Sequence, residues 1–201
     1  TERLWEAHDL IVNAWTSHDG PFNFEGEWYH HRQVHIWPRP YQQPHPPIWI
    51  TVGSAGTAAP VAEHKYVGAV FLAGYPGIRP IFDGYRDGYL AKHGNDAPLD
   101  RLAYCALVYV ADDEVEAMAG GNMFCGTPDQ VYAQIKAFYD YSGGFGNLLM
   151  MGQAGHLTFA QTRRSMTLFA SEVYPRLKEL TSSYDAGAMK ETRAGLPDKE
   201  F

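Results

Sequence analysis

Hydrophobic residues fall in short, nearly unbroken runs that alternate with amphipathic segments along most of the chain. Runs rich in β-branched and aromatic residues predict strands over 48–52, 67–72, 102–111 and 146–151. Each is too short for a buried helix, so we expect buried strands. Apolar residues at helical spacing between them predict helices over 58–64, 80–92, 127–141 and 157–180, the last interrupted or ended near Pro175. Strict alternation of buried strands with helices predicts a parallel sheet covered by helices.

The first 47 residues show a different pattern. Leu4, His8, Ile11 and Trp15 share one face of a predicted N-terminal helix. Alternating aromatic and polar residues over 22–36 predict a β-hairpin. Prolines then crowd the stretch 38–47, which excludes helix because proline lacks a backbone donor and extends its predecessor.

Two α/β folds fit this order of elements. Four strand–helix units make half of an eight-stranded (β/α) barrel, and a doubly wound sheet fits the same alternation. No G-x-G-x-x-G motif follows a predicted strand, which weakens the case for a dinucleotide-binding fold.

Composition narrows the classes of function. The 201 residues suffice for one domain with a hydrophobic core. A formal net charge of −7 without a Lys/Arg cluster argues against a nucleic-acid surface, and no apolar run predicts a membrane helix. Cys105 and Cys125 are too few for a disulfide framework and fit a reducing compartment, so we expect a cytoplasmic protein.

A cluster of small and hydroxyl residues follows the first predicted strand of the sheet. Gly53, Ser54, Ala55 and Thr57 lie where that strand passes into a helix. Backbone N–H groups and the positive end of the helix dipole converge there, which favours an anion. The hydroxyls and N–H groups therefore predict a phosphate site, most simply for a cofactor. The alternative is that Ser54 or Thr57 only caps the helix.

Other candidate groups give weaker signals. Met151 and His156 follow the last predicted strand, at the end where barrels carry their sites, and are candidates for a substrate pocket. His30 and His31 point to opposite faces of a strand, so we expect no metal site. Cys125 precedes a helix start, but no base for a nucleophilic thiol is identifiable.

Four segments resemble bacterial luciferase-like flavin monooxygenases. They are residues 24–30 (FEGEWYH), 37–49 (WPRPYQQPHPPIW), 125–131 (CGTPDQV) and 168–175 (LFASEVYP). The resemblance implies a (β/α)8 barrel of which residues 1–181 form the second half, with 182–201 as a surface extension. It implies FMN at the carboxyl ends of the strands, its phosphate held partly by Ser54 and Thr57, and a homodimer. It also implies a mobile lid, and we expect a missing lid segment near Ala117.

The resemblance assigns no catalytic residue to this chain, because the family's catalytic residues lie in the first half of the barrel. It implies a monooxygenase that uses reduced FMN from a separate flavin reductase, O2 and a small apolar organic substrate. A related possibility is hydride transfer with a deazaflavin coenzyme. Two further alternatives remain: a non-catalytic flavin-binding or interaction module, and an unrelated barrel enzyme for a phosphorylated substrate.

Overall fold

The computed structural model describes residues 2–112, 121–153 and 157–184, and the chain divides into two compact units, Thr1–Ile48 and Trp49–Phe201. The helices are α1 (Glu2–Thr16), α2 (Ala55–Glu63), α3 (Gly74–His93), α4 (Pro128–Ser142), α5 (Phe159–Leu168) and α6 (Tyr174–Ser182). The strands are β1 (Phe22–Glu25), β2 (His30–Val34), β3 (Trp49–Thr51), β4 (Val67–Phe71), β5 (Leu102–Val110), β6 (Met123–Gly126) and β7 (Asn147–Met151).

The first unit joins α1 to the predicted hairpin. β1 and β2 pair antiparallel, with Glu25 opposite His30. The Glu6 carboxylate accepts hydrogen bonds from the backbone N–H groups of Glu27, Trp28 and Tyr29 at 2.8–2.9 Å. A Cβ at Gly26 would overlap this carboxylate. The hairpin turn is therefore a small anion nest filled by the chain's own glutamate.

The second unit is built on one parallel sheet, as predicted. Its strand order is β3–β4–β5–β6, and β7 pairs with the amino-terminal part of β5. Within the described residues the sheet is open and forms no closed barrel. The carboxyl ends of its parallel strands lie along one edge, so the segments after β3, β4 and β7 follow the same edge of the sheet, with β5 between β4 and β7.

The two faces of the sheet differ in burial. Val70, Tyr104 and Val108 lie on the face that packs against helices, and all are buried. On the opposite face, Trp49, Phe71 and Leu149 are 45%, 56% and 38% exposed. We call this second surface the open face. β3 is therefore not the buried strand that its sequence predicts, because it is the edge strand of the described sheet and Trp49 is partly exposed on the open face.

One strand and the start of one helix differ from the predictions, and the last helical region is divided. The short strand β6 was not predicted, and α3 begins at Gly74, six residues before Pro80. Burial of Tyr75 and Ile78 and a hydrogen bond from the Gly74 N–H to the Tyr104 hydroxyl favour helix there in spite of Pro80. The last helical region is interrupted near Pro175, as predicted: a π-helical turn over Phe169–Val173 separates α5 from α6, which begins at Tyr174.

Candidate cofactor site

The segment between β3 and α2 forms a reciprocal helix cap. The Ser54 Oγ accepts from the Thr57 N–H at 3.3 Å, and the Thr57 Oγ1 accepts from the Ser54 N–H at 3.1 Å. The Gly53 N–H also donates to Thr57 Oγ1, at 3.3 Å. The capping interpretation of these two residues is therefore confirmed, and the phosphate interpretation has to rest on what the cap leaves available.

The cap leaves three donors for a ligand. Thr57 Oγ1 donates to the Ser54 carbonyl oxygen at 2.9 Å and lies 3.1 Å from Ser54 Oγ, so the Ser54 hydroxyl hydrogen can point either to Thr57 Oγ1 or outward to a ligand. Ala55 and Gly56 are the first two residues of α2, and among the described residues nothing accepts from their N–H groups. These donors lie at the positive end of the helix dipole.

The surroundings of these donors suit an anion. Residues 53–57 are exposed, and the first turn of α2 contains no acidic residue. A Cβ on Gly53 or Gly56 would meet no atom within 4 Å, so a ligand can approach the backbone closely there. The predicted residues Gly53, Ser54, Ala55 and Thr57, together with Gly56, thus form one exposed helix start, which we call the cradle. Its free donors are the Ser54 hydroxyl and the Ala55 and Gly56 N–H groups, while Gly53 and Thr57 complete the cap.

Helix α3 fixes the position of this cradle. A Cβ on Gly84 would lie 2.5 Å from Ala55 Cα, and one on Gly88 would lie 2.9 Å from Ala59 Cα. Glycines spaced by four residues therefore let the backbones of α2 and α3 approach closely. The first residue of α2 rests on α3, which holds the N–H groups in place. Neither glycine was predicted to matter, and the G-x-x-x-G spacing was the available signal.

An exposed aromatic ring ends the strand next to β3. The pairing of β3 with β4 ends at Thr51 opposite Ala69, and Phe71 follows two residues further along β4, on the open face. Phe71 is 56% exposed, and Leu72 after it adopts φ +49°, a left-handed conformation that is unusual for a branched residue. Phe71 was not predicted as a site residue, although its place at the carboxyl end of a predicted strand was an available signal.

Met151, one of the two residues predicted for a substrate pocket, is the last residue of β7 and lies on the open face. Met151 pairs with Leu107 and is half-buried. It lines a small cavity of about 120 Å³ with Leu107, Tyr109, Met123 and Leu157. The lining is apolar apart from the Tyr109 side chain, which suits an organic molecule. His156 and the predicted lid segment near Ala117 lie outside the described residues.

The cysteines are buried in the core, and the possible metal ligands in the described part of the chain lie apart from one another. Both cysteines are buried thiols, and the backbone of Cys125 is paired with the Gln134 side-chain amide. Among the residues described, no three His, Cys, Asp or Glu side chains converge as metal ligands. No helix in the described part of the chain is long and apolar enough to cross a membrane.

A hydroxyl and an ion pair fix the ends of β5. The Tyr104 hydroxyl accepts from the Gly74 N–H at 3.1 Å and donates to the Gly121 carbonyl at 2.8 Å, and burial raises the pKa of Tyr104 to about 12. Arg164 forms a bidentate pair with Asp112, just after β5, which lowers the pKa of that carboxyl. These contacts tie the strand to α3 and α5.

Comparisons with known proteins agree with this architecture. The family model of the luciferase-like monooxygenases matches residues 1–125. No curated protein sequence matches the chain significantly.

Several solved structures share the fold. The monooxygenase RslO1 from Streptomyces bottropensis is 21% identical, with a TM-score of 0.75 over 88% of this chain. The oxygenating constituent of 3,6-diketocamphane monooxygenase from Pseudomonas putida, in complex with FMN, is 17% identical, with a TM-score of 0.71 over 87%. The coenzyme F420-dependent tetrahydromethanopterin reductase from Methanopyrus kandleri is 14% identical, with a TM-score of 0.68 over 86%. This chain spans only 61–62% of the length of those three proteins.

Proposed function

Because the chain belongs to the luciferase-like monooxygenase family, we propose that it forms the flavin-phosphate half of a monooxygenase that uses reduced FMN and O2 on an apolar organic substrate. The observation that carries the proposal is the start of α2, where the Ser54 hydroxyl and the Ala55 and Gly56 N–H groups face solvent without a neighbouring acid. The phosphate would accept hydrogen bonds from these three donors.

The open face supports the second part of the proposal, which concerns the barrel. Trp49, Phe71 and Leu149 are large apolar residues that a finished parallel sheet would cover. In a closed (β/α)8 barrel this face would point to the interior, and β3 and β7 would pair with strands of the other half. We therefore propose that residues 1–181 complete a barrel with four further strand–helix units.

The described residues would position and shield the coenzyme. The cradle would fix the phosphate, and the exposed Phe71 ring at the carboxyl end of the neighbouring strand β4 would offer an apolar surface to the flavin ring. Met151 and its cavity would exclude water from the carboxyl edge. The reduced flavin supplies the oxygen chemistry when bound. Residues of this chain would bind and orient, and His156 remains proposed for the substrate pocket.

A deazaflavin is the second candidate coenzyme. It is favoured by the F420-dependent enzymes among the structural relatives, one of which is a secondary alcohol dehydrogenase in complex with an F420–acetone adduct, at 12% identity and a TM-score of 0.58. The function would then be hydride transfer without O2.

The test is an anaerobic titration of the full-length protein with reduced FMN and with reduced F420 as comparator. Tight, saturable FMN binding followed by O2 consumption with an apolar substrate supports the monooxygenase. Preference for F420 moves the function to hydride transfer. Binding of neither removes the cofactor assignment, and inorganic phosphate or a sugar phosphate would then be the next ligand to titrate.

The remaining parts of the proposal come from the family alone. They are a homodimer, reduction of FMN by a separate reductase, and a cytoplasmic location, with which two buried thiols agree. Sedimentation of the full-length protein and activity with and without an added reductase would test the first two.

A further inference from the structure

A second cavity lies away from the carboxyl edge of the sheet. Its volume is about 290 Å³, and it lies among α4, β7, the π-helical turn and α6. Phe145 and Gly146, which precede β7, contribute to its wall, so the cavity is at the amino end of that strand. Leu148 also lines it and lies on the helix-facing side of β7, because its register partner is Tyr104. The cavity is therefore separate from the cofactor cradle.

The wall is mostly apolar, and one of its residues carries an unsatisfied hydroxyl. Tyr139 lines the cavity and is only 3% exposed, and its hydroxyl has no hydrogen-bond partner among the described residues. Burial raises the pKa of this phenol, so it stays protonated and able to donate. A buried hydroxyl without a partner is costly, and a ligand oxygen would remove that cost.

A positive charge lies at the same cavity. Lys178 belongs to its lining and is exposed, and its ammonium nitrogen lies 5.9 Å from the centroid of the Tyr174 ring. No carboxylate in the described part of the chain lies within ion-pair distance of it. The cavity thus combines an apolar wall with a buried donor and an accessible cation.

We propose that this cavity binds a small aliphatic carboxylate, with its chain against Leu148 and its oxygens accepting from Tyr139 and Lys178. The volume equals that of about ten water molecules, which suits a ligand of roughly ten non-hydrogen atoms. Octanoate has this size and chemistry, and octan-1-ol is its uncharged counterpart.

Isothermal titration calorimetry of the full-length protein with octanoate, with and without saturating FMN, tests the site. One octanoate per chain is expected, with an affinity that FMN does not change. Tyr139→Phe should weaken octanoate and octanol about tenfold, since each loses one hydrogen bond. Lys178→Met should weaken octanoate about tenfold and leave octanol unchanged. The matched control Lys92→Met, on the exposed end of α3, should change neither.

A third variant tests the cavity itself. Leu148→Phe should fill it and abolish binding of both ligands, and circular dichroism would show whether the variant stays folded. Absence of saturable octanoate binding to the wild-type protein overturns the proposal. So does displacement of octanoate by FMN, or wild-type affinity in both the Tyr139→Phe and Lys178→Met variants. These surface and isosteric changes keep the proposal testable even if Leu148→Phe does not fold.

Discussion

Helices α2 and α4 begin with the same reciprocal cap and yet offer different surfaces. At α4, Thr127 Oγ1 accepts from the Gln130 N–H, and the Gln130 side chain accepts from the Thr127 N–H. Here Asp129 supplies a negative charge in the first turn and pairs with Arg176 at 2.7 Å. The start of α2 has no such acid.

The glycines before the two caps differ in the same way. Gly126 has φ +134°, and a Cβ there would collide with the Gln130 side chain. Gly53 has open space around it. The comparison teaches that a capping motif alone does not identify an anion site. What distinguishes α2 is the absence of an internal carboxylate together with unobstructed backbone donors.

The largest expected effect comes from giving α2 the acid that α4 has. Gly56→Asp places a carboxylate at the second helical position, equivalent to Asp129. We expect FMN affinity to fall by at least about 100-fold, because like charges would face each other at the dipole end. Equilibrium dialysis with FMN and with riboflavin measures this, and riboflavin binding should change little because riboflavin has no phosphate.

Gly56→Asn is the matched control for that experiment. It has nearly the same size without the charge, and should retain most of the FMN affinity. Equal FMN binding by wild type and Gly56→Asp would contradict the phosphate assignment.

Removal of the hydroxyls tests the two caps directly. Ser54→Ala with Thr57→Ala should weaken FMN binding by roughly 1–3 kcal/mol, because the charged hydrogen bond from the Ser54 hydroxyl is lost. The paired variant Thr127→Ala with Gln130→Ala should cost a similar amount of folding stability, about 1 kcal/mol per cap, and leave FMN affinity unchanged. An equal loss of FMN affinity in both pairs would show a general effect of helix fraying.

The packing of α3 beneath α2 can be disturbed without substituting a residue of the cradle. Gly84→Ala would push Ala55 away from α3, and we expect it to destabilise the fold by about 2 kcal/mol through overpacking and to weaken FMN binding. Gly77→Ala, in the same helix, would approach only the Ala73 Cβ, at 3.0 Å, and should stay within about 1 kcal/mol of wild type. Urea unfolding of both variants measures the two changes in stability.

The hairpin turn offers a third set of backbone N–H donors, and these already donate to the Glu6 carboxylate. Desolvation acts to raise the pKa of the Glu6 carboxyl, but the three backbone N–H donors outweigh it and hold the pKa below its ordinary value. A depressed pKa adds stability that is present above the unfolded pKa of about 4.3 and is lost as pH falls through the folded value.

The corresponding measurement is urea unfolding by tryptophan fluorescence from pH 7 to pH 3. Glu6→Gln should be less stable at pH 7 and should lose less stability between pH 5 and pH 3 than wild type. Glu27→Gln is the control, since only its backbone N–H takes part in the nest. A parallel pH profile for wild type and Glu6→Gln would refute the role of the charge.

The smallest effect is expected for the exposed ion pair between Asp129, in the first turn of α4, and Arg176. Asp129 is 91% exposed, so Asp129→Asn should cost about 0.5 kcal/mol, mainly through the dipole, and less at high salt. Thermal unfolding at low and high ionic strength measures it. FMN affinity should not change, in contrast to Gly56→Asp.

Much of the fold follows from the hydrophobic pattern, and its exceptions have physical causes. β4, β5 and β7 appear where apolar runs predict them, because those runs are local and β-rich. β6 has only four residues, and its pairing with β5 is a long-range contact that composition does not signal. The start of α3 depends on Tyr104, thirty residues away, which no local pattern contains.

The candidate site divides along the same line. The hydroxyls and glycines of the cradle are consecutive, so a local motif predicts them. Gly84 belongs to another helix, and only packing brings it to the cradle. Phe71 belongs to another strand, and only strand pairing places it at the same edge of the sheet. The use of Thr57 as a cap was one of two interpretations that sequence left open, and side-chain geometry decides it.

The uncovered edges of the sheet have a practical consequence for protein production. β3 and β7 each present unpaired backbone donors and acceptors within the described part of the chain, beside the exposed side chains of Trp49 and Leu149. Such edges are templates for pairing between molecules. A polypeptide limited to these 201 residues should therefore collect in inclusion bodies or form soluble aggregates. If the barrel proposed above is formed, co-production with its other half should keep the polypeptide in solution.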